Sequence, residues 1–139
     1  MSETNTEQGR SDHQYIPRPD AVDEAYLRDI LDEYYMRKWN PNPGTVKAVK
    51  KWRDWPLVVR MPDVKKDFTV FIDEGSVLRV TVGLPEQPRI LAVMLSETMQ
   101  RIYYDETTAA IESIAGRIKV RGNETERRRL LAAMSYLTW

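Results

Sequence analysis

Paired carboxyl groups are the first side chains in this sequence to consider as candidates for chemistry. Two carboxyl groups held close together can act as a general acid and a general base, or can bind a cation. Adjacent or nearly adjacent acids occur at Asp73 with Glu74, at Asp105 with Glu106, and at Glu124 with Glu126. Each pair falls at a predicted turn or helix start, where acidic residues form turns and cap helices. We therefore predict structural roles for these acids, with no catalytic residue and no metal site.

Histidine and cysteine chemistry is limited by the composition. The sequence has a single histidine, His13, and no cysteine, which excludes thiol nucleophiles, disulfides and zinc sites built on cysteine. His13 lies within residues 1–19, a polar segment without hydrophobic periodicity that we predict to be a disordered arm. A histidine that is not held against a substrate is a poor general base. The residues therefore favour a noncatalytic protein without a cofactor, although they leave an enzyme open.

Length and charge limit the remaining classes of protein. A chain of 139 residues can form one domain, which we assign to residues 20–139. It contains 21 basic and 21 acidic residues, so no overall field attracts nucleic acid, and we expect no nucleic-acid partner. The start of the chain lacks the pattern of a signal peptide, and no stretch has the roughly 18 apolar residues of a membrane span. We therefore expect a cytoplasmic protein.

Apolar residues at helical spacing predict five helices. The front helix covers residues 20–39 and ends at Asn-Pro-Asn-Pro-Gly, residues 40–44, because proline cannot continue a helix. The other helices are predicted at residues 45–55, 97–104, 106–115 and 123–138. The predicted N-caps of the last three helices are Ser96, Asp105 and Asn123.

Apolar residues that alternate with polar ones predict five strands. Asp-Glu-Gly-Ser, residues 73–76, is typical of a tight turn that joins two strands in a hairpin. Residues 89–95 are apolar on both faces, which indicates a strand covered on both sides. The run 116–122 puts Ile118 and Val120 on one face and three basic residues on the other. The strands are predicted at residues 57–61, 67–73, 77–83, 89–95 and 116–121.

From about residue 55 to residue 138, the chain resembles the sterol carrier protein 2 domain family. The resemblance rests on the strand at 89–95, the two short helices after it, Gly-Arg-Ile-Lys-Val-Arg-Gly at 116–122, and the amphipathic C-terminal helix. It implies an α+β fold in which a five-stranded mixed sheet carries helices over one face and encloses an apolar tunnel. The front helix has no counterpart that we can match in the family, so we treat it as an addition. Trp52 and Trp55 are expected to pack between the front helices and the sheet.

The resemblance also implies which residues line the tunnel. Methionine suits such a lining because its unbranched, polarizable side chain adapts to irregular ligands. Any one of these residues can equally be plain core, since most buried apolar side chains only fill space. The residues expected in the ligand cavity are Phe71, Ile72, Val80, Val82, Met94, Met99, Ile102, Tyr103, Ile111, Ile114, Ile118, Val120, Leu130, Met134 and Leu137.

The last predicted helix is expected to govern ligand release. A terminal helix opens more cheaply than a central element, so its movement would uncover the tunnel. Arg127, Arg128 and Arg129 lie near its start, where they would meet an acyl-CoA phosphate or, in a transient contact, an anionic membrane surface. A solvated helix face is the alternative explanation for these three arginines.

Three functions remain open from the sequence. The first is noncatalytic binding or transfer of a lipid-like ligand such as a fatty acyl chain, an acyl-CoA, a sterol or a hopanoid. The second is a cavity-based enzyme or accessory protein for a hydrophobic biosynthetic intermediate, with Tyr103, Tyr104 or an inward acid as the working group. The third is an interaction module that regulates a partner enzyme. The absence of a structured histidine or cysteine favours the first, and the ligand, partner and oligomeric state stay open.

Overall fold

The computed structural model describes residues 14–52 and 56–139. Its centre is a five-stranded mixed sheet with the strand order β3-β2-β1-β4-β5. The β1 strand pairs in parallel with β4, whereas the other neighbouring strands are antiparallel. The predicted mixed sheet is therefore confirmed. Its strands are β1 (Leu57–Met61), β2 (Lys66–Asp73), β3 (Ser76–Val82), β4 (Ile90–Val93) and β5 (Lys119–Arg121).

The helices agree with the predicted order but are shorter than expected. The front helix begins at Asp23, whose side chain accepts a hydrogen bond from the Tyr26 amide, and it ends in a π-helical turn at Tyr35–Trp39. The second predicted helix, 45–55, begins earlier and ends earlier, and its residues 53–55, which include Trp55, lie outside the described residues. The helices are α1 (Glu24–Tyr34), α2 (Pro43–Ala48), α3 (Ser96–Tyr103), α4 (Ala109–Ile114) and α5 (Glu124–Ser135).

One face of the sheet carries the hydrophobic core. Strand pairing places Leu57 beside Val70 and Val59 beside Phe68, and all four side chains are buried on this face against the helices. The opposite face carries Arg60, Phe71 and Arg79, which are half-buried or exposed. Because only one face is covered by apolar helix residues, the α+β arrangement has two layers.

The β2–β3 hairpin is attached to the front helices at its turn. Glu74 and Gly75 both have positive φ angles, 51° and 87°, as a two-residue hairpin turn requires. A Cβ atom at Gly75 would lie 2.1 Å from the Val46 carbonyl oxygen, so only glycine fits there. The Gly75 carbonyl accepts a 2.8 Å hydrogen bond from Trp39 Nε1. The predicted turn is confirmed, and it also docks the hairpin on the front helices.

Two of the three predicted helix caps are wrong. Ser96 donates from both its amide and its hydroxyl to Asp63, and Leu95 occupies the N-cap position of α3. Thr108, not Asp105, caps α4 by accepting a hydrogen bond from the Ile111 amide. Asn123 caps α5 as predicted. Sequence order alone could not identify the competing partners, because Asp63 lies on a distant turn.

The last residues of the predicted disordered arm, 1–19, contact the domain in the structure. Residues 1–13, which include His13, lie outside the part of the chain that the structure describes. Tyr15 and Ile16 pack on the domain: the Tyr104 hydroxyl donates to the Ile16 carbonyl at 2.6 Å, and the Ile16 amide donates to the Tyr103 hydroxyl at 2.8 Å. The domain contacts therefore begin several residues before the predicted boundary at 20.

Candidate functional site

An apolar cavity lies between the sheet and the helices, where β1 and β4 face α3, α4 and α5. Its volume is about 30 Å³. Thirteen side chains line it, and the only polar atoms that they contribute belong to tyrosine and tryptophan. The lining residues are Tyr34, Tyr35, Trp39, Leu57, Ala92, Met94, Met99, Ile102, Ala109, Ile118, Leu130, Met134 and Leu137.

This volume is too small for a lipid in the present conformation. A cavity of about 30 Å³ corresponds to the space of one or two water molecules. Pockets that hold small molecules have volumes of roughly 300–1,000 Å³. An acyl chain could therefore enter only if the lining moved. Met94, Met99 and Met134 give the lining unbranched side chains that can change rotamer without moving the backbone.

Two tyrosine side chains line the cavity. Tyr34 and Tyr35 are adjacent in sequence and both buried, because they continue the face that Ile30 and Leu31 bury one turn earlier. The helix then ends in a π-helical turn, in which the Asn40 amide donates to the Tyr35 carbonyl five residues back. Neither hydroxyl has a hydrogen-bond partner within 14–52 or 56–139. Burial raises the pKa of both phenols above the ordinary tyrosine value. They are neutral groups that could hydrogen-bond a ligand.

A polar cluster closes one end of the cavity. A second space of about 10 Å³ shares Tyr34, Ile102 and Leu137 with the cavity and also touches Lys38 and Asp105. The Asp105 carboxylate accepts a hydrogen bond from the Tyr15 hydroxyl and forms ion pairs with Arg37 and Lys38 at 3.3 and 3.2 Å. Burial by itself raises the pKa of Asp105, but these three partners outweigh it and hold the pKa below its ordinary value.

The sequence did not single out a buried acid in α4. Glu112 is only 1% exposed, and its carboxylate accepts hydrogen bonds from Arg117 at 2.5 and 2.9 Å and from Thr107 at 2.7 Å. The hydrogen bonds from Arg117 lower the pKa of Glu112 despite its burial. Since the acid is fully partnered, it fixes the connection from α4 to β5. Within the described residues, no group of three or more histidine, aspartate or glutamate side chains could hold a metal ion.

Seven of the fifteen residues expected in the cavity line it. Four come from α3 and α5, and the other three lie just after β4, just before β5 and just after α5. These seven are Met94, Met99, Ile102, Ile118, Leu130, Met134 and Leu137. The six lining residues that the sequence analysis missed are Tyr34, Tyr35, Trp39, Leu57, Ala92 and Ala109. The front helix supplies three of these. We missed them because we had set this helix aside as an addition to the family pattern.

The other eight residues lie elsewhere, so our expectation for their positions needs correction. Ile111 and Ile114 are 42% and 86% exposed, since they lie on the outer side of α4. Val82 is 45% exposed although it pairs with Phe68, since it is the last residue of the edge strand. Phe71 lies on the opposite face of the sheet, with the Arg79 guanidinium 4.0 Å from its ring centre. The remaining four do not line the cavity: Ile72, Val80 and Tyr103, which are buried, and Val120, which is half-buried.

Tyr103 and Tyr104, the proposed working groups of an enzyme, are used in structural hydrogen bonds. The Tyr103 hydroxyl donates to Glu33 at 2.6 Å and accepts from the Ile16 amide. The Tyr104 hydroxyl donates a hydrogen bond to the Ile16 carbonyl and lies 2.9 Å from the Tyr26 hydroxyl. Both tyrosines therefore fasten the N-terminal segment to α3.

The three arginines of α5 lie near its start, as expected. Arg128 pairs with Glu124 at 2.5 Å and Arg129 pairs with Glu126 at 2.7 Å, both along the helix. Arg127 forms no ion pair with any residue that the structure describes. These contacts are those of a solvated helix face, and they leave the steering role untested.

Within residues 14–52 and 56–139, no helix combines the length and apolar character that crossing a membrane requires. No protein-family model and no curated protein matches the sequence.

Solved structures do match the fold. The chain aligns with "UbiJ-SCP2 Ubiquinone synthesis protein" at 10% identity and a TM-score of 0.56, over 79% of this chain and 94% of that one. It aligns with the stereoselective inverting sec-alkylsulfatase Pisa1 from Pseudomonas sp. at 18% identity and a TM-score of 0.50, over 78% of this chain but only 16% of that one. A palmitated SCP2L2 from Aedes aegypti aligns at 16% identity and a TM-score of 0.46, over 70% of this chain and 98% of that one. At identities this low, the alignments with TM-scores of 0.56 and 0.50 show a shared fold alone.

Proposed function

We propose that this chain, which has the sterol carrier protein 2 fold, binds one hydrophobic, lipid-like molecule in the cavity between its sheet and helices without transforming it. The observation that carries the proposal is the lining itself: a space among buried apolar residues that is lined by three methionines and by two tyrosines whose hydroxyls have no hydrogen-bond partner in the described residues. A core evolved only for packing has few such voids and few unpaired polar groups. Cytoplasmic location, expected from the sequence, stays a prediction.

Binding requires the cavity to expand around the ligand. We infer that Met94, Met99 and Met134 change rotamer, so that an acyl chain replaces the contacts that these side chains make with one another. The Tyr34 and Tyr35 hydroxyls would then meet the polar end or a carbonyl of the ligand in an otherwise apolar space. A fatty acyl chain, an acyl-CoA, a sterol or a hopanoid all offer this combination.

Neighbouring alanines in α4 allow a matched test of the cavity. Ala109 lines the cavity and Ala110 does not, although both are buried. Ala109→Leu would fill the space that the ligand needs, whereas Ala110→Leu adds the same volume elsewhere, and overpacking costs each variant about 1–3 kcal/mol of stability. Titration with a fluorescent polyene fatty acid should show strong loss of affinity for Ala109→Leu only. Equal affinities in the two folded variants, or no binding by the wild type, would contradict the proposal.

A second function is favoured by one comparison. The neighbour with the TM-score of 0.56 is titled a ubiquinone synthesis protein, which supports an accessory protein that presents a hydrophobic intermediate to a biosynthetic enzyme. Native mass spectrometry of freshly purified protein separates both of these functions from an enzyme. A carrier or accessory protein should retain an unchanged hydrophobic molecule, whereas an enzyme should convert an added candidate and release the product.

A further inference from the structure

An open groove lies on the outside of the molecule, directly beside the cavity. It has a volume of about 260 Å³, far more than the cavity itself. A Cβ atom placed on Gly116 would meet no other atom within 4 Å, so the groove is open at that point. The groove is lined by Pro62, Val93, Met94, Leu95, Thr98, Gly116, Arg117 and Lys119. Met94 belongs to both linings, so the groove and the cavity meet at this residue.

We propose that this groove, which we call the Lys119 groove, is the port through which an amphipathic carboxylate such as a fatty acid enters. The inference rests on the proposed function and adds to it the route and the chemistry of the head group. The carboxylate binds Lys119 at the rim, and the apolar chain passes Met94 into the cavity.

The charges at the rim favour a single anionic head group. Arg117 is already committed to the buried carboxylate of Glu112. Lys119 is exposed and forms no ion pair with any residue of the described chain. It stands opposite Val93 in the β4–β5 pairing, at the apolar side of the groove. A free ammonium beside apolar residues matches the chemistry of a carboxylate with a hydrocarbon chain.

The wall at Met94 is easier to open than the C-terminal helix. The Met94 amide is fixed by a 3.0 Å hydrogen bond to the Arg60 carbonyl, so only the flexible side chain needs to move. By contrast, α5 and the residues after it are held by Thr45 Oγ1 to the Ala133 carbonyl at 2.8 Å and by Asn42 Nδ2 to the Tyr136 carbonyl at 2.8 Å. The Ala110 amide also donates to the Leu137 carbonyl at 3.2 Å.

Blocking the port tests the route. Because the chain has no cysteine, Leu95→Cys and Leu78→Cys each create a single thiol for a bulky maleimide. Leu95 lines the groove and Leu78 does not, and they are equally exposed, at 55% and 56%. We expect the label at position 95 to slow association of a fluorescent fatty acid by about tenfold or more, and the label at 78 to leave the rate unchanged. Equal rates for the two labelled proteins would overturn the proposed port.

Reversing the charge of Lys119 tests whether this residue binds the head group. Lys119→Glu should weaken binding of a fatty acid by about two- to fivefold and leave binding of the long-chain alcohol of equal length unchanged. Arg121→Glu is the control, since Arg121 lies two residues along the same strand and is exposed but outside the groove. Equal effects of the two variants would overturn the role of Lys119. If the wild type bound neither ligand, the proposed function would fail. If the wild type and the variants all bound the fatty acid equally well, only the proposed port would fail.

Discussion

Two regions of the molecule are packed differently. In the front region, α1 and the chain after α2 bury Leu27, Ile30, Leu31 and Trp52 completely, and Asn40 fixes β3 through hydrogen bonds to the Val77 amide and carbonyl at 2.8 and 3.0 Å. The rear region, formed by α3, α4, β5 and α5, contributes about half of the cavity lining and two of its three methionines. It also leaves Ile111 and Ile114 exposed.

This difference separates a scaffold from a site. A close-packed region cannot accept extra volume without strain, whereas methionines around a void can rearrange at small cost. The front region therefore holds the sheet in place, and the rear region can change around a ligand. Tyr34 and Tyr35 belong to both regions, because they lie at the end of the front helix and also line the cavity.

The largest expected effect is a loss of stability when the front region is disrupted. Trp52 is fully buried, so Trp52→Ala should lower the free energy of unfolding by about 3–5 kcal/mol. Trp139 is exposed, and Trp139→Ala should change it by less than about 0.5 kcal/mol. Urea denaturation measures both. A small loss for Trp52→Ala would show that the front region is as adaptable as the rear.

An intermediate effect concerns the buried acid of the rear region. Glu112→Gln should lower stability by about 1–3 kcal/mol at neutral pH, since it removes charged hydrogen bonds with Arg117. The pKa of Glu112 is lowered by folding, so its contribution is present above the pKa of the unfolded chain and is lost as pH falls through the folded value. The difference between wild type and variant should therefore shrink in acid, below about pH 4.

Denaturation curves across pH test this expectation. The control is Glu97→Gln, because Glu97 is exposed in the first turn of α3 and forms no ion pair within the part of the chain that the structure describes. It should show little change at any pH. A pH-independent loss of stability in Glu112→Gln would mean that shape and not charge holds α4 to β5.

The smallest effect concerns the surface of the rear region. Replacement of Arg127, Arg128 and Arg129 by glutamine should slow ligand transfer to anionic vesicles by a few-fold and leave affinity for an uncharged ligand nearly intact. Transfer to neutral vesicles is the control and should not change. Unaltered transfer to anionic vesicles would return the three arginines to a solvated face.

The sequence predicted the sheet well because each strand carries its own alternation or turn. The hairpin turn at Glu74 and Gly75 needs positive φ angles, which glycine adopts readily, and a glycine between two alternating runs was sufficient to place the turn. The caps at Ser96 and Asp105 failed because their partners, Asp63 for one and Tyr15, Arg37 and Lys38 for the other, are brought close only by the fold.

The cavity was predicted only in part for a similar reason. Ile114 fits the apolar stripe that we predicted for this helix, but α4 packs on the domain through Ala109, Ala110 and Glu112, so Ile114 faces solvent. Tyr34 and Tyr35 could have been found from the sequence, because they continue the buried face formed by Ile30 and Leu31 one turn earlier. We missed them because we treated the front helix as an addition to the family pattern.

The central claim is that a hydrophobic molecule binds among the methionines of the rear region. Methyl-labelled methionine NMR tests it directly, because Met94, Met99 and Met134 line the cavity, whereas Met61 is buried in β1 and Met36 is exposed on the π-helical turn. Titration of the full chain with a fatty acid should shift the first three methyl signals to saturation and leave those of Met36 and Met61 nearly unchanged. Saturable binding that shifts only Met36, or no shift of any methyl signal, would contradict the account.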